Sequence, residues 1–271
     1  MSGSELIPWL AWPAGAYLVG SIPFGLLIAR ARGVDIRKAG SGNIGATNVG
    51  RVLGRKWGLL CFALDVLKGF VPVFLAALWL GGAVAMECGD GVAALAAVDG
   101  WHGHPAPFAG DHAYGRPLAA ERWDSQTALV PAYKPSGVEA QGLWLLVAFG
   151  AIAGHVFPVW LRFRGGKGVA TSLGCVLGFY PYFTWAGLAA LGVWIVVAKL
   201  TRYVSVASIA AAAGFPLLFV AACYYFEWPI RTLWPLLAFA SAMAAMIIVR
   251  HRANIRRLLA GTENKIGGKR A

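Results

Sequence analysis

Long apolar stretches alternate with short polar loops along this chain. A helix needs about 20 apolar residues to cross a bilayer, and residues 7–29, 57–82, 143–161, 206–226 and 232–249 meet that length. Residues 168–198 are apolar too, but Tyr180-Pro181-Tyr182 interrupts them. Proline turns the residue before it away from helix, so this stretch predicts a hairpin of two helices, the first short. The pattern predicts an all-α polytopic membrane protein with about seven transmembrane helices. Met1 to Pro8 hold Glu5 and no basic residue, so the first apolar stretch reads as a retained span rather than a cleaved signal.

Composition supports this class. The chain is 58% hydrophobic and 13% charged, against about 25% charged in a soluble domain. Its 35 glycines suit close helix packing in lipid. The four cysteines show no CxxC spacing, and three lie in apolar segments as small buried hydrophobes.

Charge then gives direction. Of the 24 Lys and Arg residues, 19 fall in 30–56, 162–167, 199–202 and 250–271. These segments hold two acids, Asp35 and Glu263. The positive-inside bias predicts an N-terminus outside, a cytoplasmic C-terminus and an odd number of spans. Seven satisfies it, and five does too if the hairpin only dips into the membrane. The bias accounts for most of the net charge of +12, which leaves no need for nucleic acid as a partner.

The glycine-rich, charged motifs all fall on the predicted cytoplasmic side. The first runs from Gly40 to Arg51, with Ser41, Gly42, Asn43, Thr47 and Asn48 between them. Backbone N–H groups freed by glycine, beside a fixed cation, suit phosphate. It contains a formal Gly40-x-Gly42-x-x-Gly45 match to the dinucleotide fingerprint, but a transmembrane stretch precedes it instead of a strand. The second motif is Gly154-His155-Val156-Phe157-Pro158 followed by Arg164-Gly165-Gly166-Lys167-Gly168. Gly165 and Gly166 admit a ligand close to the backbone, and Lys167 is a point charge for phosphate. In the third, His251 and Asn254 share a face if the last span continues as a helix, with Glu263 nearby as a further substrate or phosphate contact. A fourth, weaker element places Ser205 and Ser208 after Arg202, as ligand contacts or helix caps. Asp65 and Lys68 lie inside the second span, three apart, and read first as an internal ion pair.

Together these motifs resemble the bacterial acyl-phosphate:glycerol-3-phosphate acyltransferase (PlsY) family. The match covers Ser21–Gly25, Ser41–Arg51, His155–Ser172, Arg202–Ser208 and Arg250–Glu263. The resemblance implies one integral membrane domain over 1–271, in the bacterial inner membrane, with its active site facing the cytoplasm. It implies transfer of an acyl group from acyl phosphate to the 1-hydroxyl of sn-glycerol 3-phosphate, giving lysophosphatidate and phosphate. It calls for no cofactor, no metal and no obligatory protein partner. Ser41, Arg51, Lys167, Ser205, His251 and Asn254 would line the pocket.

Acyl phosphate already carries a good leaving group, so orientation and charge stabilisation are the main requirements. The general base is either His251 or a substrate phosphate. None of the five histidines has Asp five positions on, so the His-x4-Asp dyad of other glycerolipid acyltransferases is missing. Residues 83–142 depart from the family pattern and read as an extracytoplasmic insert. Trp101-His102-Gly103-His104 and Asp111-His112 within it lack metal-ligand spacing. A transporter of an organic phosphate is the alternative, although its expected internal repeat is not evident. A non-catalytic scaffold would leave the one-sided motifs unexplained.

Overall fold

The structure is a computed structural model and describes residues 3–81, 85–88, 91–94 and 138–267. Helix α1 (Gly3–Gly20) breaks at Ser21-Ile22-Pro23 and resumes as α2 (Phe24–Ala31). Pro23 has no N–H with which to continue the helix. The Gly40 loop leads into α3 (Ala46–Leu53), and α4 (Arg55–Gly81) follows. Next come α5 (Val138–Val156), a 3-10 turn at Val159–Leu161, α6 (Val169–Gly178) and α7 (Tyr182–Thr201). Helices α8 (Val204–Tyr225), α9 (Trp234–Arg250) and α10 (Arg252–Leu259) complete the bundle. Strands β1 (Ala85–Cys88) and β2 (Gly91–Ala94) pair antiparallel, the one departure from an all-α fold among the described residues. The His102, His104 and Asp111-His112 positions lie outside the described residues.

Five helical stretches are long and apolar enough to cross a membrane: Ile7–Ala31, Arg55–Leu80, Gln141–Leu161, Tyr182–Thr201 and Val204–Tyr225. Helices α9 and α10 form a sixth as a pair bent by 52°. The hairpin expected in 168–198 takes shape as α6 and α7, joined at Pro181. With 10 residues, α6 rises about 15 Å, half of a hydrocarbon core of about 30 Å. Gly168, at its start, packs on Val156 and Met246. Phe179, at its end, stacks on Trp144 with 4.4 Å between ring centroids. A helix of that length relies on the cover of neighbouring helices, the setting in which irregular backbone is tolerated at membrane depth.

Glycine sets the closest approaches. A Cβ at Gly20 or Gly154 would overlap the α5 or α1 backbone, and one at Gly69 or Gly174 would overlap α6 or α4. The main core joins Trp144, Phe179, Phe183, Phe219 and Leu236. A smaller one gathers Leu26, Ile28, Ile36, Ile44, Val49 and Cys61, and it anchors the Gly40 loop through Ile36, Ile44 and Val49.

The last span does not continue straight. His251 is the C-cap of α9 and N-cap of α10. Its ring Nδ1 bonds to the Ile247 carbonyl at 2.8 Å, which its own backbone N–H also reaches at 3.1 Å. Such back-bonding to the preceding turn bends helices. His251 and Asn254 are nonetheless both buried.

Candidate active site

At one end of the bundle, the loops before α6 and α8 meet the residues after α9. Lys167 Nζ donates to Asn254 Oδ1. Asn254 Nδ2 donates to Glu263 Oε1 at 2.6 Å, and Ser205 Oγ donates to the same oxygen at 2.9 Å. Arg257 Nε donates to Glu263 Oε2 at 2.7 Å. The local sequence explains how Glu263 arrives there. Gly261 has φ +69°, the Thr262 N–H reaches Arg257 O, and the Gly261 N–H reaches Leu258 O. This is a Schellman ending, and it turns the chain back over α10.

Two groups here are shifted from their ordinary protonation behaviour. Burial pushes the Lys167 ammonium down to about 8; Glu263 opposes this, and the charges of Arg257, Arg51 and Arg250 add to it. Arg51 therefore lies close enough for its charge to be felt at Lys167. Burial alone would raise the Glu263 carboxyl, but hydrogen bonds from Asn254, Arg257 and Ser205 hold it below its usual range. The neutral His251 ring donates through Nδ1 to a carbonyl, so Nε2 carries the lone pair.

The Gly165-Gly166 segment sits directly above the membrane-embedded groups. Gly166 N–H donates to His155 O, Gly165 N–H to Val156 O, and Arg250 caps the Gly166 carbonyl at 2.9 Å. A Cβ at Gly166 would overlap the His155 imidazole. Below it, His155 Nδ1 faces Asp65 Oδ1 at 3.7 Å, and Asp65 pairs with Lys68 at 2.8 Å. Lys68 also donates to Ile22 O at 2.8 Å, a carbonyl freed by the α1–α2 break. All three side chains are buried. The sequence pointed to the Asp65–Lys68 pair, whereas the third member comes from another helix.

The first motif divides into two roles. Asn48 is 2% exposed and committed to the loop itself: Oδ1 accepts from the Ser41 N–H, and Nδ2 donates to Ile36 O, Ala39 O and Asn43 O. The expectation that Asn48 contacts phosphate gives way to one that it shapes the loop. Asn43 Oδ1 likewise accepts from the Gly45 N–H. Gly40 and Gly42 adopt φ +59° and +69°, the left-handed region that favours glycine. Ser41 and Thr47 stay exposed, and no hydrogen bond joins them to the Lys167 cluster among the described residues. Arg37 ties the loop to the second motif by donating to Arg164 O at 3.2 Å.

Two further expectations are refined. Glu263 was grouped with the phosphate contacts, but a carboxylate repels phosphate, and here it holds Ser205, Asn254 and Arg257 in place. Of the two serines, Ser205 joins the cluster, while Ser208 donates to Val204 O and accepts from Trp194. Sequence reading missed Arg257, Arg250 and Arg37 as organisers; each acts on a backbone carbonyl or on Glu263. Among the described residues, no three His, Cys, Asp or Glu side chains gather to hold a metal ion.

The sequence model of glycerol-3-phosphate acyltransferase matches residues 10–121 and 124–261. The chain belongs to the glycerol-3-phosphate acyltransferase family. A Geobacter sulfurreducens member is 41% identical over 252 residues, 93% of this chain and 94% of the relative. A Trichlorobacter lovleyi member is 38% identical over 258 residues, 94% and 96% of the two chains. Both are named glycerol-3-phosphate acyltransferase. The crystal structure of PlsY, an integral membrane glycerol 3-phosphate acyltransferase, is similar in its glycerol 3-phosphate form with a TM-score of 0.64 at 32% identity. That match covers 98% of this chain and 96% of PlsY. The lysophosphatidic acid form gives 0.62 at the same identity and coverage. The chain is thus an integral membrane acyltransferase of this family.

Proposed function

We propose that this chain transfers a fatty acyl group from an acyl phosphate to the 1-hydroxyl of sn-glycerol 3-phosphate, giving lysophosphatidate and inorganic phosphate. Acylation of glycerol 3-phosphate follows from the family. The observation that carries the site is the convergence of Lys167, Ser205, Asn254 and Glu263, from three separate parts of the chain, where the charge of Arg51 also acts on Lys167. Lys167 and Arg51 supply charge for substrate phosphate. The N–H groups of Ser41, Gly42, Gly45, Gly165 and Gly166 are already donated within the protein, so the neutral donors left to substrate are the exposed hydroxyls of Ser41 and Thr47.

The hydroxyl oxygen of glycerol 3-phosphate bonds to the acyl carbon. The bond from that carbon to the phosphate oxygen breaks, and phosphate leaves with the electron pair. The hydroxyl proton passes to a phosphate oxygen. The His251 ring, its Nδ1 held by the Ile247 carbonyl, keeps Nε2 to accept from the hydroxyl and orient it. Cations around the leaving group stabilise the charge that develops.

The cation-rich loops support a cytoplasmic site in the bacterial inner membrane, with the N-terminus outside and the short α6 as the seventh membrane helix, entering only within the cover of its neighbours. The decisive experiment supplies acyl phosphate and glycerol 3-phosphate to purified protein in proteoliposomes. Wild type should yield lysophosphatidate and phosphate. Lys167→Ala and Arg51→Ala should each lose about 100-fold or more in kcat/KM, the usual cost of one transition-state donor. Folded wild type that moves glycerol 3-phosphate across the vesicle wall without acylating it would replace this reading with a transporter.

A further inference from the structure

The residues that must meet a substrate are almost closed off. Ser205, His251 and Asn254 are each at most 6% exposed, and Glu263 holds two of them. Glu263 has no secondary structure of its own to fix it; it lies in an extended run after Gly261. That run is tied down at its far end by one residue. Arg202 Nη2 and Nε donate to Ile266 O at 2.9 and 3.2 Å, and the Ile266 N–H returns a bond to Arg202 O at 2.7 Å. Lys265 adds its ammonium over the Tyr203 ring at 5.5 Å.

Arg202 is well suited to this. It caps α7 in the left-handed conformation, φ +63°, which turns its carbonyl away from the helix. The same turn starts α8, and Ser205 lies three residues on. One residue thus fixes both the serine and the strap that carries its carboxylate partner.

We propose that Arg202 is a positioning residue for acyl transfer. By clamping the strap from Gly261 to Gly267 it sets Glu263, and through Glu263 it sets Ser205, Asn254 and the Lys167 ammonium. Arg202 itself touches no substrate. The strap is also the piece of chain whose release uncovers these side chains. This inference rests on the acyltransferase reading for its kinetic arm alone.

The test compares wild type, Arg202→Ala, Arg202→Lys, Glu263→Gln and Arg202→Ala/Glu263→Gln in proteoliposomes, with amide hydrogen exchange followed over residues 260–267. Arg202→Ala should raise KM for glycerol 3-phosphate about tenfold, the worth of one good hydrogen bond, with kcat changed by less than about threefold. Arg202→Lys, which still donates, should recover part of that. The strap should exchange faster in Arg202→Ala, and the double variant should be no worse than Glu263→Gln alone, because coupled groups do not add. Ile266→Pro removes the return bond and keeps the guanidinium, so it reports on the clamp if Arg202→Ala folds poorly. A wild-type KM in Arg202→Ala, unchanged exchange, or losses that multiply with those of Glu263→Gln would overturn the proposal. A wild type without acyl transfer would overturn the acyltransferase reading, and the exchange measurement would still decide the clamp.

Discussion

Burial brings Lys167 down to about 8, within easy reach of a pH titration. The folded value lies below the ordinary lysine value, so the charge is complete below pH 8 and is lost as pH rises through it. kcat/KM reports the free enzyme, and for glycerol 3-phosphate it should fall about tenfold per unit above pH 8. Lys167→Arg, charged throughout, should abolish that limb, and a pH series of initial rates checks both. At this scale the sequence is informative about charge and poor about partners. Lys167, Arg51 and the His251–Asn254 pair stand out because cations, imidazole and amides beside glycine are uncommon in apolar chains. Asn48 reads the same way, yet its amide is used up by Ile36, Ala39 and Asn43 carbonyls. Backbone acceptors leave no mark in a sequence. The Arg202–Ile266 and Arg37–Arg164 bonds are hidden for the same reason.

Between elements, the buried Asp65–Lys68–His155 group does the joining. It ties α4 to the Ile22 carbonyl at the α1–α2 break through Lys68, and sets Asp65 3.7 Å from His155 of α5 beneath Gly166. Removing one partner of a buried ion pair leaves a lone charge at a cost of about 3–5 kcal/mol. Asp65→Asn or Lys68→Met should each lower the thermal midpoint in detergent, and the Asp65→Asn/Lys68→Met pair should recover much of the loss. An i, i+3 pair inside a span is readable from spacing alone. The bend at His251 is not, because it depends on a ring finding a carbonyl one turn back. The short α6 is half readable: Pro181 announces the hairpin, while the depth reached depends on Trp144 and Phe239 meeting Phe179.

For the whole molecule, apolar length and the placement of cations foretold a helical membrane bundle with its motifs at one end. The number of crossings was less legible, since α6 is apolar enough to enter a bilayer yet too short to traverse it unaided. The burial of Lys167 has a consequence for ionic strength. Lys167 is half-buried, whereas Arg162, Arg164 and Lys38 are exposed. Mobile salt screens charges in water over about 10 Å at 0.1 M and 3 Å at 1 M, but it reaches buried charges poorly. The exposed cations gather anionic substrate, and the half-buried lysine holds it. Added salt should therefore slow capture and leave retention intact. Stopped-flow association of glycerol 3-phosphate should slow several-fold between 0.05 and 0.5 M salt, on the order expected for steered encounter, while its dissociation rate stays nearly constant.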